Sequence, residues 1–126
     1  MKATAPPPGT TGRDSRPLDI PTMRDVVRRL LAGDAEPSAP EELETLTLQL
    51  RGHMMLAIPE VEARAGKLPK DDVPRACALA CVGEARMRLG LEPGRTFPAG
   101  IAHAQRLARS VGALCDHLGN LDGGNR

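Results

Sequence analysis

The sequence is almost free of aromatic residues: Phe97 is the only one, and tryptophan and tyrosine are absent. Aromatic side chains are the largest units that fill a protein core, so this core must be built from smaller aliphatic residues. Their scarcity also excludes aromatic cages for cations and stacking platforms for nucleobases. We therefore expect either a monomer of modest stability or a dimer that buries additional surface.

An excess of one charge is also missing, since 17 lysines and arginines are balanced by 16 aspartates and glutamates. Proteins that bind nucleic acids usually carry a clear basic excess. Arg24, Arg28 and Arg29 make the first predicted helix locally basic, but Asp25 and Asp34 dilute that charge. We therefore do not expect nucleic acid as a partner.

Long apolar runs are missing as well. The longest, at 76–82 and 54–58, are too short to cross a bilayer, and the N-terminus has no apolar segment typical of a secretory signal. The cysteines are Cys77, Cys81 and Cys115, an odd number that is typical of the reducing cytosol. We expect a cytoplasmic protein with no membrane contact.

What the sequence does contain is helical periodicity near its C-terminus. Apolar residues recur there at alternating steps of three and four, which places them on one face of a helix. They are Ile101, Ala104, Ala108, Val111, Cys115 and Leu118. A neighbouring row of Leu107, Leu114 and Leu121 widens this stripe to that of a core-facing helix.

Two further helices are predicted in the first half of the chain. Helix one begins at Thr22, which forms a capping box with Asp25, and it ends at Gly33. Helix two begins with a second capping box at Ser38 and Glu41, with Pro40 in its first turn. Pro59 ends or kinks this helix, because proline cannot donate to the carbonyl four residues back.

The remaining helices follow in the second half. Asp71 or Asp72 caps helix three, which runs to about Leu89 before Gly90. The segment 76–83 is apolar on all sides, which predicts that helix three is central. Thr96 caps helix four.

These patterns predict an all-α fold with no strands. Residues 20–121 form a single up-and-down bundle of about four helices, with the second helix kinked near Pro59. A Pro/Gly-rich tail at 1–19 and a short tail at 122–126 are predicted to be disordered.

The cysteines are the first candidates for chemistry. Cys77 and Cys81 are one helical turn apart, and Glu84 follows on the same side. The three cysteines, with either His53 or Glu84 as the fourth, could supply the ligands of a tetrahedral zinc site. Their spacing matches no ordinary zinc motif, however, and cysteine is a common small core residue. We therefore predict no metal and no cofactor.

The other candidates are polar residues with structural roles. His53 lies on the apolar stripe of helix two, where a core histidine with one partner is expected and a general base is the alternative. Glu84, if buried, needs a cation, and Arg106 or Arg109 could supply it and fix the register between two helices. A row on the flank of helix four is expected to face solvent: His103, Ser110 and His117.

Several segments together resemble a known group of proteins. The segments are 50–53 (LRGH), 58–61 (IPEV), 71–76 (DDVPRA), 81–86 (CVGEAR), 103–111 (HAQRLARSV) and 114–117 (LCDH). They resemble an uncharacterised family of short actinobacterial proteins, of the Streptomyces type, that are labelled natural-product-biosynthesis proteins. The resemblance covers roughly residues 20–121. It implies a cytosolic setting and an accessory role near secondary metabolism, and it supplies no catalytic residues.

Two functional hypotheses remain. The leading one is a non-enzymatic helical accessory or protein-interaction module that associates with itself or with a protein partner. The alternative is a small-molecule-binding or metal-dependent pathway enzyme with an interhelical pocket near His53, Cys81 and Glu84. We favour the first because the bundle pattern is clear, the net charge is +1 and no coherent catalytic set can be assembled.

Overall fold

The computed structural model describes residues 18–32, 37 and 39–123, and within these ranges the chain forms four helices and no strand. We number them α1 (Ile20–Leu31), α2 (Pro40–Ala65), α3 (Val73–Leu89) and α4 (Phe97–Gly123). The predicted all-α class is confirmed. The predicted tails fall mostly outside the described residues and stay predictions.

α1 begins at Ile20 and is capped by Asp19. The Asp19 carboxylate accepts two hydrogen bonds from Thr22, one from its backbone N–H at 3.2 Å and one from its hydroxyl at 2.8 Å. An aspartate at the N-cap provides a hydrogen-bond acceptor for one of the N–H groups in the first turn, which have no acceptor within the helix. The predicted cap at Thr22 with Asp25 is therefore wrong, because the capping residue lies three residues earlier. The predicted stop at Gly33 lies outside the described residues.

α2 is a continuous helix with Pro59 inside it. Pro59 has no N–H to donate to the carbonyl of Met55, and both residues are exposed, so water can replace the missing donor. The prediction that the helix ends at Pro59 is wrong, and a kink there is not confirmed. The helix begins at Pro40, and the residue before it, Ala39, makes no side-chain capping bond. The predicted capping residue Ser38 lies outside the described residues.

The beginnings of α3 and α4 confirm the sequence predictions. The Asp72 carboxylate accepts the N–H of Arg75 at 3.0 Å, and the Thr96 hydroxyl accepts the N–H of Ala99 at 3.1 Å. α3 ends before Gly90, as predicted. In both helices a proline follows in the first turn, where its missing N–H has little effect.

The helices form an up-and-down bundle in which α4 is central. α4 packs against all three other helices, whereas α1 and α3 do not contact each other. α1 and α4 run antiparallel, because Arg24 meets Asp116 at one end and Leu30 meets Gln105 nearer the other. The connections at 66–72 and 90–96 are short, as expected for antiparallel neighbours.

The prediction that α3 is central is wrong. Within its apolar segment only two residues are buried, and four small residues are exposed. Buried are Ala78 and Val82; exposed are Ala76, Cys77, Ala80 and Gly83. Small apolar residues surround this helix on all sides, and that pattern alone does not distinguish an interior helix from one with an apolar outer side.

The core lies mainly between α2 and α4 and is aliphatic, as the composition predicts. Small residues bring these helices close together: a Cβ added at Gly100 would lie 2.9 Å from Cδ2 of Leu43. The fully enclosed side chains include Leu50, Met54, Ala57, Val61, Ala104, Leu107, Ala108, Val111 and Leu114. Phe97 stays at the surface. In the described part of the chain, no helix has the length and apolar content to cross a membrane.

Candidate functional site

Glu84 has a partner, but not one of the predicted ones. It lies on the exposed side of α3 and pairs with Arg88 of the same helix at 3.1 Å. Residues four apart on a helix are neighbours, so this pair needs no second helix. Arg106 and Arg109, the predicted partners on α4, are both exposed. Glu84 therefore does not set the register between α3 and α4.

Two other arginines join the helices instead. Arg88 donates from one guanidinium nitrogen to the carbonyl of Arg106 and to the hydroxyl of Ser110, both at 3.1 Å. Arg51 of α2 donates to the carbonyl of Leu89, at the end of α3, at 2.9 Å. The sequence predicts neither bond, because nothing in a sequence shows which carbonyl a long side chain will reach.

The flank of α4 that carries His103 and Ser110 is buried, contrary to the prediction, with exposed fractions of 2% and 4%. Burial lowers the pKa of His103, and the nearby positive charges of Arg51 and Arg106 lower it further. These effects favour the neutral imidazole over the protonated one. The third member of the row, His117, is half-buried.

His53 lies half-buried on α2, near the Asp19 carboxylate that precedes α1. Burial lowers the pKa of His53, and the charge of Asp19 partly opposes that shift. Its Nε2 atom is buried and has no hydrogen-bond partner among the described residues. Cys81 and Glu84 lie near each other on α3. Among the described residues, the structure does not bring His53 together with them as a group that could hold a metal ion.

The three cysteines occupy three different environments. Cys77 is exposed, Cys81 is half-buried, and Cys115 is buried with its Sγ 4.0 Å from Sδ of Met23. Burial raises the pKa of the Cys81 and Cys115 thiols, which favours the thiol over the thiolate form that binds metals. Among the residues that the structure describes, no three histidine, cysteine, aspartate or glutamate side chains are placed to hold a metal ion.

The outer side of α2 carries little charge over most of its length: the carboxylates of Glu60 and Glu62 have side chains 42% and 37% exposed, and they pair with Arg64 and Arg86. Every exposed residue of this helix between positions 45 and 63 is uncharged, a stretch of about 27 Å. Leu48 and Met55 expose 62% and 65% of their surface. The full set is Thr45, Leu48, Gln49, Gly52, Met55, Leu56, Pro59 and Ala63.

The outer side of α3 continues this surface. Its exposed residues up to position 83 are also uncharged: Val73, Pro74, Ala76, Cys77, Ala80 and Gly83. Met87 follows one turn later, with 58% of its surface exposed. α2 and α3 pack side by side and are joined by a two-pronged ion pair from Arg86 to Glu62, at 2.6 and 2.7 Å. We call these two adjacent outer sides, residues 45–63 and 73–87, the α2–α3 face.

A second feature is a cleft where α2 and α4 begin. It has a volume of about 400 Å³ and lies between the first turns of the two helices and the loop 93–96. Gly94 turns that loop with a φ of +90°, and a Cβ there would lie 2.8 Å from Cβ of Ala99. The apolar wall consists of Pro40, Leu43, Leu48, Pro93 and Phe97, with Glu44 and Arg95 also lining the cleft. We call it the end cleft.

Comparison with known proteins places the chain in a family without assigning an activity. No curated protein and no solved structure matches it. The model of a family of unknown function, DUF6415, matches residues 21–123, which is nearly the whole of the four helices. The resemblance to an uncharacterised family is confirmed in this form, and the chain belongs to the family of unknown function DUF6415.

Proposed function

We propose that this protein is a non-enzymatic protein-interaction module and that the α2–α3 face is its docking surface. The observation that carries the proposal is the scarcity of charge on α2 between 45 and 63, where every residue classed as exposed is uncharged and the partly exposed Glu60 and Glu62 are paired within the chain. A helix at the surface of a monomer normally directs charged residues to solvent. The centre of a protein–protein interface, in contrast, is depleted of charge and rich in apolar side chains.

The size and chemistry of the face agree with this role. The two helix surfaces are each about 10 Å wide and are about 27 Å long on α2 and about 21 Å long on α3, which makes an area of about 500 Å², at the upper end of the apolar patches that monomers expose. Met55 and Met87 are flexible, and methionine is favoured at surfaces that adapt to a partner. Covering such side chains contributes about 25 cal/mol for each Å² removed from water.

Single charges placed on the face test the proposal. We expect Met55→Glu or Leu56→Glu to abolish the capture of proteins that a tagged wild-type chain retains from extracts of its native cells. Both positions are exposed, so folding is expected to be unchanged, which circular dichroism checks. Asn120→Glu, at an exposed position of α4, is the matched control and should capture the same proteins as the wild type. Identical capture by all variants would contradict the proposal.

We also propose a cytoplasmic accessory role in actinobacterial natural-product biosynthesis. This setting is supported by the family resemblance of the segments given above, such as 81–86 and 103–111. In a producing strain, deletion of the gene should lower or alter the product, with wild-type protein restoring it and the Met55→Glu variant failing to do so. An unchanged metabolite profile after deletion would oppose this setting.

The end cleft supports a second candidate function, binding of a small apolar molecule. Its volume of about 400 Å³ lies within the usual range of ligand pockets, and its wall is mainly apolar. None of His53, Cys81 and Glu84 lines it, so the alternative function moves away from the predicted pocket. Metal-dependent chemistry has no group of described ligands to support it.

A variant with a larger side chain in the end cleft tests the second function separately from the first. Thr47 lines the cleft, whereas Thr45 is an exposed residue of the same helix outside it. Anilinonaphthalene sulfonate fluorescence should be enhanced by the wild type and by Thr45→Phe, and the enhancement should be lost in Thr47→Phe. Equal fluorescence with both variants would exclude the cleft as the binding site.

A further inference from the structure

We propose that the partner of the α2–α3 face is a second copy of this chain, related by a two-fold axis that passes beside Ala80 of α3. This inference rests on the proposed function, since it names the occupant of the same surface. A two-fold contact requires that one patch be complementary to itself. Three properties of the face meet that requirement: its pattern of side-chain sizes, its charge and its area.

On the outer side of α3, side-chain sizes match in both directions from Ala80 at three and seven positions, whereas four positions away Ala76 corresponds to Glu84, whose carboxylate is bonded to Arg88. Large apolar residues lie seven positions away on either side, Val73 and Met87, and small residues lie three positions away, Cys77 and Gly83. Seven residues are close to two helical turns, so Val73, Ala80 and Met87 lie on one side of the helix. When two α3 helices pack antiparallel about Ala80, Val73 of each copy lies opposite Met87 of the other.

The small residues at the centre of this pattern permit close packing. Cys77, Ala80 and Gly83 are exposed, and the separation of packed helices decreases with the size of the side chains between them. Apart from its chain neighbours and the backbone of its own helical turn, a Cβ added at Gly83 or at Gly52 would meet no described atom within 4 Å. Both positions therefore have open space on the side where a second copy would lie.

The charges on the face also favour a second copy. A patch with one sign of charge would repel its own copy, whereas a specific charged partner would need a complementary charge to steer it. The exposed charges of α3 near the face, Glu84 and Arg86, are already paired within the chain. Glu84 bonds to Arg88, and Arg86 bonds to Glu62. Two copies can therefore meet without bringing unpaired like charges together.

The available area is enough for a weak dimer. Two faces of about 500 Å² bury about 1,000 Å² in total, which reaches the lower limit for a specific interface. The face has no aromatic residue, and aromatic residues supply most of the strongest interface contacts. We therefore expect dissociation in the micromolar range rather than an obligate dimer.

Sedimentation velocity of the full chain from about 1 μM to about 1 mM tests the inference. The wild type should shift from the monomer mass toward twice that mass as the concentration rises. Ala80→Glu places two carboxylates beside the axis, and it should move the midpoint at least tenfold higher in concentration. Asn120→Glu, with the same new charge on exposed α4, should leave the midpoint unchanged.

Cross-linking tests the same geometry independently of any loss of stability. With Cys77 replaced by alanine, Ala80→Cys places one thiol of each copy beside the axis. Mild oxidation should then give a disulfide-linked dimer much faster than it does for Asn120→Cys in the same background. Cys81 and Cys115 are present in both proteins, so their contribution cancels.

The possible outcomes separate this inference from the proposed function. A wild type that stays monomeric up to about 1 mM overturns the second copy as partner, and so does a dimer that is insensitive to Ala80→Glu and does not cross-link through Ala80→Cys. If the wild type stays monomeric but still captures proteins that Met55→Glu does not, the docking surface stands and its partner is another protein. If that capture fails too, both proposals fail.

Discussion

Single side chains hold neighbouring helices of this bundle in register, and the most connected of them is Arg88. Its guanidinium bonds to the carbonyl of Arg106, to the hydroxyl of Ser110 and to Glu84. These donors join α3 to α4 at a place where Ser110 is buried. A charge-assisted hydrogen bond to a partly buried group is worth more than an exposed ion pair.

We predict that Arg88→Met lowers the free energy of unfolding by about 1–2 kcal/mol. Methionine keeps much of the aliphatic stem but leaves the buried hydroxyl of Ser110 without this donor. Arg109→Met, at an exposed position of α4, is the control and should change stability by less than about 0.5 kcal/mol. Urea unfolding followed by circular dichroism measures both. Equal effects would mean that Arg88 does not join the helices in solution.

The burial of Ser110 and His103 shows why residue-level predictions failed on this flank. The apolar stripe of α4 was identified from its spacing, and its leucines and alanines are buried. The width of the buried side depends on how many helices cover α4, and three do. Periodicity along one helix gives the direction of its core-facing side but not the number of its neighbours, so polar residues beside the stripe were assigned to solvent.

At the scale of helices, the sequence predicts a helix start well where a capping side chain accepts a backbone N–H of the first turn. The sequence left Asp71 and Asp72 as alternative caps of α3, and the structure selects Asp72, which accepts the N–H of Arg75. At the start of α1 a closely spaced alternative existed, and Asp19 takes the role that was assigned to Thr22. Helix starts are therefore predictable to within a few residues.

The Asp72 cap gives a matched pair of variants. Asp72→Ala removes the carboxylate that accepts the N–H of Arg75, and we expect the free energy of unfolding to fall by about 1 kcal/mol. Asp71→Ala removes the adjacent, exposed carboxylate and should have a much smaller effect. Thermal unfolding compares the two Tm values. A larger loss for Asp71→Ala would assign the cap to the other aspartate.

The error about α3 is informative at this scale. An all-round apolar segment predicted an interior helix, yet Ala76, Cys77, Ala80 and Gly83 face outward. The same residues form part of the α2–α3 face. These positions carry no charge. A sequence alone does not distinguish a segment that its own chain buries from one that a partner would cover, because both are depleted of charge.

The whole molecule should lose stability in mildly acidic solution because of its histidines. Burial lowers the pKa of both His53 and His103 from the ordinary value of 6.5. Their contribution to stability is complete above about pH 6.5 and decreases as the pH falls below it, because the unfolded chain then binds protons that the folded chain excludes. We predict a lower Tm at about pH 5.5 than at about pH 7.5.

Replacing the buried histidine isolates this effect. His103→Gln should reduce the difference in Tm between the two pH values, although it can lower both Tm values. His117→Gln, at the half-buried position of α4, serves as the control and should keep the wild-type difference. Asp19 and Glu62, whose pKa values are lowered by bonds to Thr22 and Arg86, act only at lower pH, below about 4.5. A Tm that is constant between the two pH values would contradict the prediction.

The architecture of the whole chain could be predicted because it depends on periodicity and short connections, which are local properties of the sequence. The candidate site could not be, because it contains no motif. It consists of the exposed outer sides of two neighbouring helices, α2 and α3. Glu84, His53 and Cys81 drew attention as reactive residue types, whereas the proposed docking surface consists of residues such as Leu56 and Ala80 that carry no chemistry of their own.

Pro59 gives this apolar surface one polar requirement. The carbonyl of Met55 lacks the helical donor that any other residue at position 59 would supply, and both residues lie on the exposed side of α2. A molecule that covers this spot without offering an N–H or O–H would strand a carbonyl away from water, at a cost of about 1–3 kcal/mol. If the α2–α3 face is the docking surface proposed above, its partner is expected to offer a hydrogen-bond donor to this carbonyl.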